Sequence, residues 1–83
     1  MREPGFRRFL SDRLGERTVD SYVAYCRRVE RELGLSLDGC DLSQASVDTL
    51  SQRLRAVGVQ EKSVGNCLSA VRAYAEYSDG REN

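Results

Sequence analysis

The sequence contains no histidine and no tryptophan, and only one lysine and one proline. Without histidine it lacks the side chain most used for proton transfer near neutral pH and most common as a metal ligand. A Gly-rich phosphate loop, a GxSxG elbow and a metal-ligand cluster are also missing. Acid–base chemistry would fall to Asp, Glu, Tyr or the lone Lys62, and no pairing of these stands out. The residues therefore assign no catalytic centre, no cofactor and no metal. The three cysteines, Cys26, Cys40 and Cys67, are odd in number and form no CxxC pair. Structural zinc usually takes four Cys or His ligands, so they do not suggest a zinc site. Cys26 and Cys67 fall on apolar helical faces and are expected to act as small buried hydrophobes. No apolar run approaches the length of a membrane span or a signal-peptide core, so the chain reads as cytosolic with no membrane partner.

What is present fits one domain spanning residues 1–83. The hydrophobic fraction of 40% and charged fraction of 31% suit a folded globular chain rather than a disordered one. At 83 residues a single core is near the lower size limit for independent folding. Net charge is zero, which argues against a strong non-specific nucleic-acid binder. Its distribution is uneven. Residues 1–31 carry eight Arg against five acids, residues 32–52 carry four acids and no base, and residues 53–83 carry five bases and four acids. Twelve of the 13 bases are Arg, which suits bidentate contacts to phosphate or guanine but also arises from a GC-rich genome.

Helical periodicity dominates and no segment alternates with a strand period, so the fold class is all-α, a compact bundle of four helices. The first is predicted over Pro4 to Leu14, with Phe6, Phe9, Leu10 and Leu14 inward, Pro4 in the first turn and Gly15 as the stop. The second is predicted over Thr18 to Leu33. Thr18 would be its N-cap, Val19, Tyr22, Val23, Cys26, Val29 and Leu33 its stripe, and Gly34 its end. Leu35 to Ala45 reads as a loop with a turn at Asp38-Gly39. Ser46 would cap a third helix, with Val47, Leu50, Leu54 and Val57 inward and Gly58 at its end. The fourth is predicted over Glu61 to Ser78, with Val64, Cys67, Leu68, Val71, Tyr74 and Ala75 inward and Asp79-Gly80 closing it.

The fourth helix carries the most information. Opposite its apolar stripe lie Lys62, Gly65, Asn66, Ser69, Arg72 and Ala73. A plain solvated face would be filled with Glu, Lys and Gln. Here Gly65, Ser69 and Ala73 form a row of small residues at i, i+4 and i+8, which lets another surface approach closely. Lys62, Asn66 and Arg72 around them are donors suited to phosphates or base edges. From the pattern alone, contact with DNA, packing on a partner helix and no role at all stay open. On the second helix, Thr18, Ser21, Tyr25 and Arg28 form one edge with Arg17 just ahead, a set suited to positioning phosphates near a helix N-terminus. Arg27 and Arg31 lie on its outer side, where surface ion pairs with Glu30 and Glu32 would account for them. Arg7, Arg8 and Arg13 are expected to face solvent.

The run GERTVDSYVAYCRRVERELG resembles the start of the N-terminal core-binding domain of tyrosine recombinases and phage integrases. The helix there opens with a Thr, has an aromatic four residues on and continues as an apolar stripe, as Thr18 and Tyr22 do. The run EKSVGNCLSAVRAYAEYSDG is similar to the last helix of that domain, through Ser63, then Leu68-Ser69-Ala70-Val71-Arg72, then Tyr74 and Tyr77. The resemblance covers nearly the whole chain. It implies a SAM-like bundle of about four helices forming half of a clamp around double-stranded DNA, alongside other protomers. The second and fourth helices would face the DNA. By that carry-over Arg17 and Thr18 would lie near the backbone, with Ser21 and Arg28 on the same edge. Lys62, Ser63, Asn66, Ser69 and Arg72 would lie along the DNA-facing side. The family's catalytic domain is absent, and none of the four tyrosines matches its nucleophile motif, so the chain is expected to be an excised fragment or a stand-alone relative. Two other readings stand beside this one. One is a protein-interaction module docking through Gly65-Ser69-Ala73. The other is a helix-turn-helix regulator, which the short Val57-Gly58-Val59 connection would allow.

Overall fold

The structure is a computed structural model and describes residues 1–39 and 42–82, so Cys40 lies outside the described residues. Helix α1 spans Glu3–Ser11, α2 Glu16–Leu33, α3 Gln44–Ala56 and α4 Glu61–Glu82, with a 3-10 turn at Leu37–Gly39. There is no strand among the described residues, and the all-α bundle of four helices holds.

Helix α2 is the centre of the packing. Val19, Val23, Cys26 and Val29 repeat every three or four residues, which puts them on one helical face, and all four are buried. That face meets α4 most extensively, where Val64, Cys67, Ala70, Val71 and Tyr74 are buried in turn. Helix α1 packs along one flank of α2 through Phe6 and Leu10. Helix α3 closes the bundle against α4 with Val47, Leu50 and Leu54. The polar Ser51 is buried in the α3 face, where its hydroxyl accepts a 2.7 Å bond from Arg55. Tyr74 is fully buried yet satisfied: its hydroxyl donates to Asp38 and accepts the backbone N–H of Arg2 at 2.9 Å.

The helix ends depart from expectation in several places. α1 stops at Ser11 rather than Leu14, because the N–H groups of Arg13 and Leu14 both return to the Leu10 carbonyl and the chain turns there. Gly15 is then not the stop of α1 but the N-cap of α2. Its backbone is extended (ψ 160°), and its carbonyl accepts the N–H of Val19 at 3.0 Å. Thr18 is accordingly not a cap but the third residue of the helix, and it is exposed. Gly34 ends α2 as expected, at φ 63°, a left-handed conformation that glycine adopts without penalty.

α3 begins at Gln44 with Ser43 as its N-cap, not at Ser46, because Ser43 is extended and its carbonyl takes the N–H of Val47. Val57 is not inward: it is 50% exposed. The positive φ of Gly58 (93°) reverses the chain there, and Val59 enters the core in its place. Leu37, in the stretch read as loop, is also core, its N–H bonded to the Glu30 carboxylate at 3.0 Å. Finally, α4 does not close at Asp79-Gly80 but runs on to Glu82. A helical glycine costs about 1 kcal/mol relative to alanine, too little by itself to end an established helix.

Candidate functional site

The two flanks of α2 differ in charge bookkeeping. Toward α1, basic and acidic side chains neutralise each other. Arg7 bonds both Glu3 (3.0 Å) and Asp20 (2.6 Å), and Arg27 pairs with Glu3. Arg27 therefore bridges to α1, rather than pairing with Glu30 or Glu32 on its own helix. These contacts hold the Glu3 carboxyl below the ordinary carboxylate range, with Arg27 the largest cause and Arg7 the next. Elsewhere Arg13 meets Glu76 at 2.9 Å, its guanidinium lying over the Phe9 ring. Arg55 grips Glu61 through two bonds of 2.6 and 3.2 Å, which lowers the Glu61 pKa. Arg7 and Arg13 are thus engaged by carboxylates rather than left to solvent.

The other flank of α2 faces α4. Here the Asn66 side-chain amide donates to the Tyr25 hydroxyl at 3.0 Å, which joins the edge picked out on α2 to the edge picked out on α4. One residue along, burial pushes the Cys67 thiol up, while the charges of Arg28 and Glu32 act on it in opposite directions. Arg28 and Glu32 therefore also lie beside this seam. Lys62 and Ser69 are exposed one turn to either side of Asn66.

The remaining expected residues are placed as follows. Arg17, Thr18 and Ser21 are exposed in the first turns of α2, with the Ser21 hydroxyl bonded back to the Arg17 carbonyl at 3.0 Å. Arg72 is exposed on α4. Ser63 is half-buried, because it sits on the side of α4 nearer the core, beside Cys67 and Ala70 on the helical wheel. Asn66 and Ala73 are likewise half-buried, not outward: that side of α4 borders α2. The seam thus brings together Tyr25, Arg28 and Asn66, flanked by Lys62 and Ser69. Arg17, Thr18, Ser21 and Arg72 extend the surface along the two helices. The helical pattern places Tyr25 on the α2 edge, but it was not carried over with Arg17, Thr18, Ser21 and Arg28 as a DNA contact. Its place on the Thr18–Ser21–Arg28 edge was the signal that could have added it.

None of Arg17, Arg28, Lys62 and Arg72 takes part in an ion pair among the described residues. The same holds for Arg8, Arg31 and Arg53, the last of which reaches the Leu33 carbonyl at 3.5 Å. The α2–α4 side accordingly offers cations that pair with no carboxylate among the described residues. No group of His, Cys, Asp and Glu able to hold a metal occurs among the described residues. No helix among them is long and apolar enough to cross a membrane.

Gly65 is exposed on this side of α4, and a Cβ built there meets nothing within 4 Å. The fold itself does not need glycine at this position. Gly65→Ala is expected to stabilise the protein by about 0.5–1 kcal/mol, a rise in melting temperature of a few degrees for a domain of this size. Thermal melting followed by circular dichroism checks this, and a drop in melting temperature would show that the backbone at Gly65 is constrained in a way the helix does not reveal. Comparison with family models, with curated proteins and with solved structures gave no match for this chain.

Proposed function

We propose that this bundle is a DNA-binding module of the core-binding kind, which grips duplex DNA through the α2–α4 side and positions a separate catalytic domain. The observation that supports it best is the coincidence of two independent features. The four cations that the sequence pattern placed on α2 and α4 are without carboxylate partners among the described residues, and the Tyr25–Asn66 bond joins their two helix edges into one surface. Phosphate contacts need such uncommitted cations, because an Arg already held by a carboxylate must give up that pair to reach DNA. Ser21, Ser69 and Thr18 add exposed hydroxyls to the same helices. Zero net charge keeps the long-range attraction low, so affinity comes from this local surface rather than from the whole molecule.

The test is a fluorescence-anisotropy titration with duplex DNA at about 50 and about 200 mM salt. Engagement of the four cations predicts a log–log salt slope of about −3 to −4, from roughly −0.9 per neutralised phosphate. Replacing Lys62 and Arg72 together by alanine is expected to flatten that slope by about 2 and to weaken binding at the lower salt. A Lys62→Ala, Arg72→Ala protein that binds as well as the parent sinks the proposal.

A second reading, a protein-interaction module using the Gly65-Ser69-Ala73 row, is favoured by the open space at Gly65. Ala73 tells against it, since it packs toward the core and leaves only two members of the row outward. Salt-insensitive self-association in sedimentation velocity would bring that reading forward.

A further inference from the structure

Four parts of the fold meet around the nitrogen of Met1. Its ammonium lies 3.1 Å from the Glu30 carboxylate, near the end of α2, and 3.3 Å from the Asp38 carboxylate, in the 3-10 turn. Each carboxylate is itself held in place. The same Glu30 oxygen accepts the Leu37 N–H at 3.0 Å, and Asp38 accepts the hydroxyl of Tyr74 from α4. Tyr74 in turn accepts the N–H of Arg2, the neighbour of Met1, at 2.9 Å, which closes a ring of contacts. The Met1 side chain is 1% exposed and packs on the core, so the amine it carries has a fixed place. Burial opposes the charge on that amine, but the bonds and charges of Glu30 and then Asp38 outweigh it and hold the pKa above its ordinary 8.0.

We infer that Glu30 and Asp38 form a socket for the charged α-amino group of Met1, which makes that amine a modification site whose acylation loosens the fold. The local charge balance carries the argument. Two carboxylates lie within 3.3 Å of one nitrogen, close enough to each other to repel when no cation stands between them. Arg2, with its Nε 4.0 Å from Asp38, offsets part of that repulsion. Glu30 pairs with no other cation among the described residues. Acylation by an acyl thioester forms a bond from this nitrogen to the acyl carbon, breaks the carbon–sulfur bond, and releases the thiol and one proton. The amide left behind is neutral and keeps one N–H where the ammonium had three. It can no longer serve two carboxylates. A residue joined ahead of Met1 has the same effect, because the nitrogen then becomes a peptide N–H. Helix α1 starts two positions on, at Glu3, so whatever loosens Met1 also loosens the attachment of α1. Tyr25, Arg28 and Asn66 of the α2–α4 seam take no part in the socket.

The experiment compares three synthetic forms of the full chain by thermal melting at about pH 7, where the amine is charged. One has a free N-terminus, one is acetylated there, and one carries hydrogen in place of the Met1 amine. The acetylated chain should melt roughly 5–15 °C below the free one, the loss expected for charge-assisted bonds in a domain of this size. The form without the amine adds no bulk and lacks only the cation and its donors. It should lose about as much as the acetylated chain, which assigns the effect to the missing charge. Melting of the acetylated chain within about 3 °C of the free one overturns the inference. So does a form without the amine that melts with the free chain while the acetylated one falls, since the loss then comes from crowding by the acetyl group and not from an emptied socket.

Discussion

Replacing Phe6 by alanine is expected to cost about 3–5 kcal/mol, the range for emptying a buried aromatic site. An 83-residue domain has a total stability of only about 4–12 kcal/mol, so the variant should be unfolded or close to it. The reason lies in the place of α1. At nine residues it is too short to persist on its own propensity, and its attachment rests on Phe6 and Leu10. Phe6 is fully buried, edge-on to Tyr74 with ring centroids 5.0 Å apart, and 5.8 Å from the Tyr77 ring. Tyr77 in turn lies 5.6 Å from both Phe9 and Tyr74, so four aromatics share one cluster between α1 and the later part of α4. Removing the Phe6 ring opens a void beside Tyr74, which cannot move to fill it because its hydroxyl is fixed by Asp38 and Arg2. Phe6→Leu, which keeps most of the volume, should cost much less, about 1–2 kcal/mol. Urea titration of the three proteins measures this. A loss below about 1 kcal/mol for Phe6→Ala would mean that α1 contributes little to the cooperative unit.

The parts of this fold that could be read from the sequence are those fixed by local period and local backbone conformation. The stripe Val19, Val23, Cys26 and Val29 follows from helical spacing alone, and Gly34 from the left-handed cap that only glycine adopts freely. What escaped depends on contacts distant in sequence or on caps without a side-chain signature. Gly15 caps α2 with its backbone, so the more familiar Thr18 misplaced the helix start by two residues. Val57 and Val59 are equally apolar, and the turn at Gly58 decides which of them is buried. Leu37 joins the core because the Glu30 carboxylate holds its N–H, a bond across seven positions that no periodicity announces. The candidate site shows the same division. Exposure of Lys62, Ser69 and Arg72 followed from the wheel. The half-burial of Asn66 and its bond to Tyr25 required knowing which flank of α4 meets α2. Likewise, which arginines stay uncommitted depended on α1 lying along α2 and spending Glu3 and Asp20 on Arg7 and Arg27.

The second large effect expected is a steep loss of stability in alkali. Burial pushes the Cys26 thiol from 9.0 up to about 12, helped by Glu30 and opposed by the amino group of Met1. Burial likewise pushes the Tyr74 phenol from 10.0 up to about 12; the Arg2 N–H opposes this, and the Asp38 carboxylate that accepts its proton adds to it. Both are acids whose neutral form the folded state holds more tightly than the unfolded chain does. Between about pH 9 and pH 12 the unfolded chain therefore binds fewer protons than the folded one, and stability falls as pH rises. At about 1.4 kcal/mol for each tenfold change in acidity, the loss approaches about 4 kcal/mol through Cys26 and about 3 kcal/mol through Tyr74 near pH 12. Together these are comparable with the whole stability of the domain. Urea titrations at pH values from about 7 to 12 should show a plateau and then this decline. Cys26→Ala should begin the decline later, near pH 10, and Tyr74→Phe should make it shallower. If the alkaline limb of Tyr74→Phe, taken relative to its own value at pH 7, is as steep as that of the parent, the buried phenol is not what the folded state protects. The same substitution acts at the other end of the pH scale. The Tyr74 hydroxyl is the largest cause holding the Asp38 carboxyl below its ordinary 3.8. That contribution is present above the ordinary value and lost as pH falls through the lowered one, so in Tyr74→Phe the acid limb should flatten as well.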